Sequence, residues 1–393
     1  MRRALIAGAG IGGLTAALAL AEGGFDVAIF ERAAALEEFG AGLQLSPNCT
    51  RILGRLGVLD EIEKLATAPR AIRLLRGRDD AELVHLNLLD AEARWGAPYL
   101  MIHRADLQGA LARAAMKLPN VELRLGQEVG GASEDAEGVA VGLKRGGLSL
   151  RETGDVLIGA DGLRSKVRER MGLGELDAAR FSGRVAFRAT IPAAALGASA
   201  GAPVVELRLG PRAHLVKYPL RGGSVVNLIA VIESGWRGEH PDHPWDGLAD
   251  RPALTRAFAD WSKKARALID APETWRAWPL FVRDPIANYA LGRMALLGDA
   301  AHPMVPFLAQ GAAQAIEDAG SLARRLSETP DITAALAAYS RDRAPRAGRV
   351  QREALAQARI YHMSGPMAFA RDLTMRALGA ERLQARYDWI YAA

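Results

Sequence analysis

The sequence predicts an α/β protein in which a parallel sheet is interrupted by an antiparallel one and followed by a helical C-terminal region. Three observations carry this. A short apolar strand, a glycine turn, a helix and a second strand open the chain, the order of a parallel βαβ unit. Between Arg180 and Glu233 apolar residues alternate and turns recur, the mark of antiparallel strands. From Asp331 to the end the pattern is helical.

A chain of 393 residues, half of them apolar and 24% charged, is long enough for two or three lobes around a well-buried core, without disulfide or metal staples. Its one cysteine, Cys49, excludes an intrachain disulfide, and with no His pattern beside it is read as a helix residue after Pro47 rather than a nucleophile. The net charge of +5 comes from arginines scattered along the chain, so no nucleic-acid partner is expected, although an anionic small molecule would be attracted. Beyond the opening stretch no apolar run approaches a membrane span, and no His, Cys or carboxylate spacing supports a metal site.

The opening stretch has two readings. Two arginines before an uncharged run from Ala4 to Ala21 resemble a secretory signal with a small-residue cleavage site. Alternatively, Ala4 to Ala7 is a buried strand, Gly8-Ala9-Gly10-Ile11-Gly12-Gly13 a turn, and Leu14, Leu18 and Ala21 mark a helix that Gly23-Gly24 ends. The strand Asp26 to Phe30 then finishes at Glu31, and this context favours the second reading: a Rossmann-like dinucleotide fingerprint. Gly8 permits the turn, Gly10 the approach of a pyrophosphate to backbone N–H groups, and Gly13 close helix packing, while Glu31 can accept hydrogen bonds from ribose hydroxyls. Cleavage would remove the loop and leave Glu31 without a purpose.

Helical patterns follow at Pro47 to Gly57 and Glu61 to Ala66, then a hairpin of Ala71 to Arg76 and Glu82 to Leu88 around Gly77-Arg78-Asp79-Asp80. The chain returns through Tyr99 to His103 into a helix from about Ala105, and strands are expected at Val121 to Leu125, Val139 to Leu143, Leu148 to Glu152 and Val156 to Gly159. The alternating region contributes Val185 to Thr190, Val204 to Leu209, His214 to Tyr218 and Val225 to Ile232; residues 246 to 272 look helical. Met294 to Gly298 is another buried strand, with a helix from about Gln310 to Leu326. The expected division is a nucleotide-binding domain of residues 1–70, 99–180 and 282–330, a substrate domain of 71–98 and 181–281, and a helical region of 331–393, with the active site between the first two.

Two further turns join glycine and acid after a buried strand: Gly159-Ala160-Asp161-Gly162-Leu163-Arg164 and Gly298-Asp299-Ala300-Ala301-His302-Pro303. Each alone is explained as a helix cap. Taken with the first loop, with Gly40-Ala41-Gly42-Leu43-Gln44-Leu45-Ser46-Pro47-Asn48 and with His103-Arg104, they resemble the class A, single-component flavoprotein monooxygenases, in particular the salicylate and 3-hydroxybenzoate hydroxylase branch. The resemblance covers nearly the whole chain and implies a p-hydroxybenzoate hydroxylase-like fold and FAD as cofactor. It assigns Gly8, Gly10, Ile11, Gly12 and Gly13 to the FAD pyrophosphate and Glu31, with Arg32 beside it, to the adenosine ribose. Arg104 falls to the phosphate side, Asp299 to the ribityl chain, Pro306, Gln310, Gly311 and Ala312 to the flavin side, and Gln44 to the cofactor site as a whole. Asp161 and Arg164 belong to a motif that the family links to FAD and to NAD(P)H. With no second Rossmann fingerprint, NADH or NADPH is expected to visit, reduce the flavin and leave.

The implied reaction uses O2 and a peroxide at flavin C4a, which is productive only in a dry pocket and with an electron-rich ring such as a phenolate. A base for the phenol and a cation for a carboxylate are therefore expected. His214 and Tyr218, four apart on one strand, share a face; His214 is the candidate base and Tyr218 its hydrogen-bond partner, against the plainer reading of a satisfied strand histidine. Arg188 and Arg221 are candidates for the substrate's anionic group and Phe307 for a ring contact. His302 reads as structural, and His85, His240, His243 and His362 show no convergent pattern. The expected function is FAD-dependent hydroxylation of a phenolic or hydroxy-heteroaromatic acid by a cytoplasmic monomer or homodimer in aromatic catabolism. The alternatives are an oxygenase for a larger non-acidic aromatic, and a flavin-binding protein without turnover. Halogenase (Trp-x-Trp-x-Ile-Pro) and Baeyer–Villiger (Phe-x-Gly-x-x-x-His) signatures do not occur.

Overall fold

The structure, a computed structural model, describes residues 2–36, 42–146, 148–173, 178–197, 200–235, 247–248 and 251–392. Of the residues singled out above, Gly40, Ala41, His240 and His243 lie outside these.

The uncharged run that opens the chain is uncharged because both of its elements are buried. Strand Arg3–Ala7 is central in a six-stranded sheet, and helix Ile11–Glu22, buried from Ile11 to Ala21, is enclosed by that sheet and by helices Gly311–Glu328 and Arg104–Met116. Each fully buried Leu or Ile there stabilises by about 1.5–3 kcal/mol, whereas a charge would have no partner. The sheet runs Ala290–Leu291, Met294–Leu296, Val156–Gly159, Arg3–Ala7, Asp26–Glu31, Val121–Leu125, parallel throughout except for its first strand. All three glycine-and-acid turns therefore leave from carboxyl ends of neighbouring strands, where open α/β sheets bind ligands.

A second sheet of eight strands runs Gly247–Leu248, Arg276–Val282, Arg180–Pro192, Val225–Glu233, Ala213–Leu220, Val204–Gly210, Ala71–Arg76, Glu82–Asn87. It is antiparallel except where Val204–Gly210 pairs with Ala71–Arg76, which joins the early hairpin to the later strands. The sequence reading missed Arg276–Val282, because Pro279 argues against a strand and its burial does not alternate. It also missed Glu128–Glu134, which carries Gly130 and Gly131, and the four-residue strand Gly42–Leu45 that pairs with Leu100–His103. The region expected to be helical from 246 to 272 contains helices Arg251–Ala257 and Lys263–Asp270. The C-terminal region is helical as expected, with helices Ile332–Tyr361, Gly365–Ala385 and Asp388–Tyr391. Among the described residues no helix is long and apolar enough to cross a membrane, and no group of three or more His, Cys, Asp or Glu is placed to hold a metal.

Candidate active site

At the first turn Gly8 has φ +101°, a left-handed conformation that only glycine adopts without strain, and its N–H donates to Phe30 O at 2.8 Å. A Cβ on Gly13 would stand 2.0 Å from Gly8 O, so helix and turn touch backbone to backbone. Glu31 props this loop: its two carboxylate oxygens accept from Ala9 N and Ala33 N, both at 2.9 Å. Helix Ile11–Glu22 has neither a side-chain cap nor an acidic residue in its first turn, which leaves N–H groups and the positive dipole end for an anion. A cavity of about 580 Å³ lies here, lined by Gly8, Gly10, Glu31, Arg32, Arg104, Asp161 and Arg164 among others. Ser165 caps the short helix that follows, accepting from Arg168 N at 2.9 Å, and Asp161 accepts from Lys166 N at 2.7 Å while its Oδ1 is buried without a partner.

Gly10, Arg104, Ala160 and Gly162 also line the next cavity, of about 280 Å³, so the two form one trough. Its walls include Ile11, Gly12, Gln44, Arg188, His214, Tyr218, Asp299, Pro306, Gly311 and Ala312. Protein atoms hem in Asp299 although it reaches the cavity surface, and loss of bulk water pushes its carboxyl up. Burial lowers the Arg188 guanidinium, whose Nε has no hydrogen-bond partner. Beneath the loop, Asp318 accepts from Gly298 N at 2.9 Å, meets His302 Nε2 at 2.5 Å and accepts from Arg343 Nε at 2.7 Å. Burial would raise the Asp318 carboxyl, but His302, Arg343 and these hydrogen bonds outweigh it and hold it at about 2. Cys49 is buried in helix Pro47–Arg55, its thiol pushed up by burial and by Glu317, so it is no nucleophile.

A third cavity of about 390 Å³ shares Gln44, His214, Val216, Pro306 and Ala309 with the second and is lined mainly by apolar and aromatic groups. Ala309 in this shared wall has φ 52°, a strained position for a residue with a Cβ. The His214 ring packs 5.0 Å from Phe307 and 5.5 Å from Tyr361, centroid to centroid. Burial, then His362 and Arg184, pushes His214 well below its ordinary 6.5, so at neutral pH it is an uncharged imidazole.

Two expectations are corrected. The hydrogen-bond partner of His214 is not Tyr218 but His362, Nδ1 to Nε2 at 2.9 Å. Tyr218 shares its face but stands about 13 Å along the strand at ~3.3 Å per residue, under Gly42, where an added Cβ would lie 2.5 Å from its ring. Arg221 is held by Asp106, its Nε and Nη2 each donating to a carboxylate oxygen at 2.8 Å, and lines none of these three cavities. Sequence reasoning also passed over His362, Tyr99, Tyr361, Gln357 and Arg371, which reach the third cavity or its wall from distant segments. No spacing signals them: His362 is 148 residues from His214.

The trough fits an extended dinucleotide. A Cβ on Gly10 or Gly311 would meet nothing within 4 Å, so both backbones face open trough, and unpartnered polar atoms of Asp161 and Arg188 lie in its walls. A family model described as an FAD binding domain matches residues 2–354. The chain is 38% identical over 392 residues to a 3-amino-4-hydroxybenzoate 2-monooxygenase of Streptomyces platensis, covering 99% of this chain and 95% of the relative. It is 36% identical over 389 residues to a 3-hydroxybenzoate 6-hydroxylase of Aquipseudomonas alcaligenes, covering 98% and 96%. This chain is an FAD-dependent aromatic hydroxylase of the class A flavoprotein family. In shape the enzyme is similar to a salicylate hydroxylase substrate complex, with TM-score 0.84 and 26% identity over 100% of this chain and 95% of that one. The family thus accounts for the trough as the FAD site and for the Rossmann-like sheet joined to an antiparallel one.

Proposed function

We propose that the enzyme uses NADH or NADPH and O2 to hydroxylate a phenolic or hydroxy-heteroaromatic acid of the hydroxybenzoate type, with His214 as the base for the phenol. The observation that carries this is the position of His214: a buried, uncharged imidazole on a strand that walls both the flavin-side cavity and the apolar cavity beside Phe307. The relatives named for hydroxybenzoate substrates support the same class. FAD, reduced and exposed to O2, supplies the electrophilic oxygen. The chain's own work is to bind the ring against Phe307, to exclude water with apolar walls, and to take the phenolic proton on His214 so that the ring becomes electron-rich. Gly10, Glu31, Arg32, Arg104, Asp161 and Asp299 would hold the cofactor along the trough, Gln44, Pro306, Gly311 and Ala312 its flavin end, and Arg188 an anionic group beside it. We assign the two sheets the division into nucleotide-binding and substrate domains given above, and place the enzyme in the cytoplasm as a monomer or homodimer.

A second reading, a larger non-acidic aromatic, is favoured by one observation. Arg371, a buried cation lining the apolar cavity, is engaged by Asp372 at 2.8 Å and is not free for a carboxylate. NADH and NADPH oxidation by FAD-loaded enzyme, scanned over salicylate, hydroxybenzoates and hydroxynicotinates with product and peroxide quantified together, separates the two. Stimulation with stoichiometric product supports the acid; no response to any acid, with turnover of an uncharged polycyclic phenol, supports the second.

A further inference from the structure

We propose that His362 and Glu233 complete a proton relay with His214, carrying the substrate's phenolic proton from the buried imidazole to solvent. The inference rests on the phenol reading above. A base buried this deeply has a disposal problem: once it has taken a proton it is an imidazolium without water, in a wall where only 3% of His214 is exposed. His214 Nδ1 faces His362 Nε2 at 2.9 Å, leaving Nε2 as its other proton site. His362, at the end of helix Ile332–Tyr361, is buried, and its Nδ1 has no hydrogen-bond partner but lies 3.5 Å from Glu233 Oε1. Glu233 ends strand Val225–Glu233 with 29% of its side chain exposed, so the line from cavity to surface is imidazole, imidazole, carboxylate.

One tautomer set makes the line work. For His214 Nε2 to accept, Nδ1 must carry the hydrogen and donate to His362 Nε2, which puts the hydrogen of His362 on Nδ1, toward Glu233. The phenol O–H then gives its proton to His214 Nε2, His214 Nδ1–H passes to His362 Nε2, and His362 Nδ1–H passes to the Glu233 carboxylate. A small rotation of Glu233 shortens its 3.5 Å contact and presents the proton to water. Each ring gains one proton and loses one, so neither stays charged, and the substrate is left as phenolate. The charges around the line agree: Arg184 lies 3.5 Å and Arg212 3.1 Å from Glu233, and Arg184 and Arg371 add to the burial that keeps the rings uncharged, His362 at about 4. The turn before His214 is pinned to the same place, Arg212 N donating to His362 O at 3.1 Å.

His362 and Glu233 act through His214 and do not touch substrate, so the test needs readouts that a structural role would leave alone. Full-length, FAD-loaded wild type, His362→Gln and Glu233→Gln are compared, since Gln keeps a hydrogen-bonding side chain but passes no proton along. Oxidised enzyme holding 4-hydroxy-3-nitrobenzoate, a phenol whose ionisation is coloured, is jumped from low to neutral pH. Phenolate formation is expected to slow by about 10-fold or more in both variants. Imidazole buffer at about 0.1 M is expected to restore the rate in Glu233→Gln, whose lesion faces solvent, and not in His362→Gln, whose lesion is buried. In turnover with 3-hydroxybenzoate, kcat falls and KM stays within about twofold, because no binding contact is lost. Variants that ionise the bound phenol at the wild-type rate with folding and FAD content intact overturn the relay alone. A wild type that neither binds the nitrophenol nor turns over any phenolic acid overturns the phenol reading, and the relay with it.

Discussion

Asp318 Oδ2 accepts the backbone N–H of Gly298 at 2.9 Å, so a buried carboxylate on helix Gly311–Glu328 holds the turn that presents Asp299 to the trough. The same carboxylate meets His302 and Arg343, and Arg343 continues to Glu317 at 2.5 Å, so one ionic cluster underlies this turn of the trough. Removing Asp318 leaves the Arg343 Nε and the Gly298 N–H buried without this partner, a loss of about 3–5 kcal/mol. Asp318→Ala is therefore expected to lower the unfolding midpoint in denaturant and to weaken FAD retention, read by cofactor fluorescence after desalting.

The cluster also sets an acid limit. A carboxyl held at about 2 in the folded chain, against an ordinary 3.8, contributes stability that is fully present above the ordinary value and is lost as pH falls toward 2. Urea midpoints of wild type and Asp318→Ala, measured from pH 6 down to pH 2, are expected to converge over that window. A gap that stays constant to pH 2 contradicts the assignment.

Gly10 and Gly13 separate binding from folding. At Gly10 an added Cβ meets nothing and φ is −70°, so Gly10→Val leaves the stability of the apoprotein within about 0.5 kcal/mol while filling the space of the pyrophosphate. FAD affinity, measured by titration, is expected to fall at least about 10-fold, or 1.4 kcal/mol. At Gly13 the added Cβ strikes Gly8 O, and Gly13→Ala is expected to lower the melting temperature of the apoprotein itself.

His214→Ala is expected to reduce kcat by about 10²–10⁴-fold with FAD content unchanged. Because burial holds the imidazole well below 6.5, it stays uncharged as the pH falls through the ordinary histidine range. The wild-type acidic limb of kcat/KM is thus expected well below the ordinary histidine value of 6.5, and a limb centred at 6.5 or above contradicts a buried base.

The two arginines divide. Arg221, tied to Asp106 away from the cavities, is expected to leave KM within about twofold when changed to Ala, whereas Arg188→Ala, in the trough wall, is expected to raise it about 10-fold. Initial-rate kinetics with a hydroxybenzoate decide both.

The cofactor half of the site was legible because its determinants are local. A turn, the helix it opens and the acid at the next strand end lie within about thirty residues, and the structure puts Gly8, Gly10 and Glu31 around one cavity. The cavity wall around His214 was not, because its members meet only through the fold. His214 was visible as a titratable residue on an alternating strand, but its partner His362 arrives from the far end of a long helix. Alternation told that His214 and Tyr218 share a face and could not tell that the strand's length separates them. Arg221 looked like an anchor because sequence cannot show that Asp106 already holds it. Strand Arg276–Val282 escaped because Pro279 breaks the rule by which strands are read, in a position where its neighbours still pair.

The central claim is that this chain directs one atom of O2 into a phenol ionised by His214. The most direct test is turnover under oxygen-18-labelled dioxygen in ordinary water, with the phenolic product analysed by mass spectrometry. The account predicts one labelled oxygen in the new hydroxyl per NADH or NADPH consumed by wild type, and a shift toward labelled hydrogen peroxide in His214→Ala. Product whose new oxygen comes from water, or peroxide alone from wild type with every phenol, would contradict it.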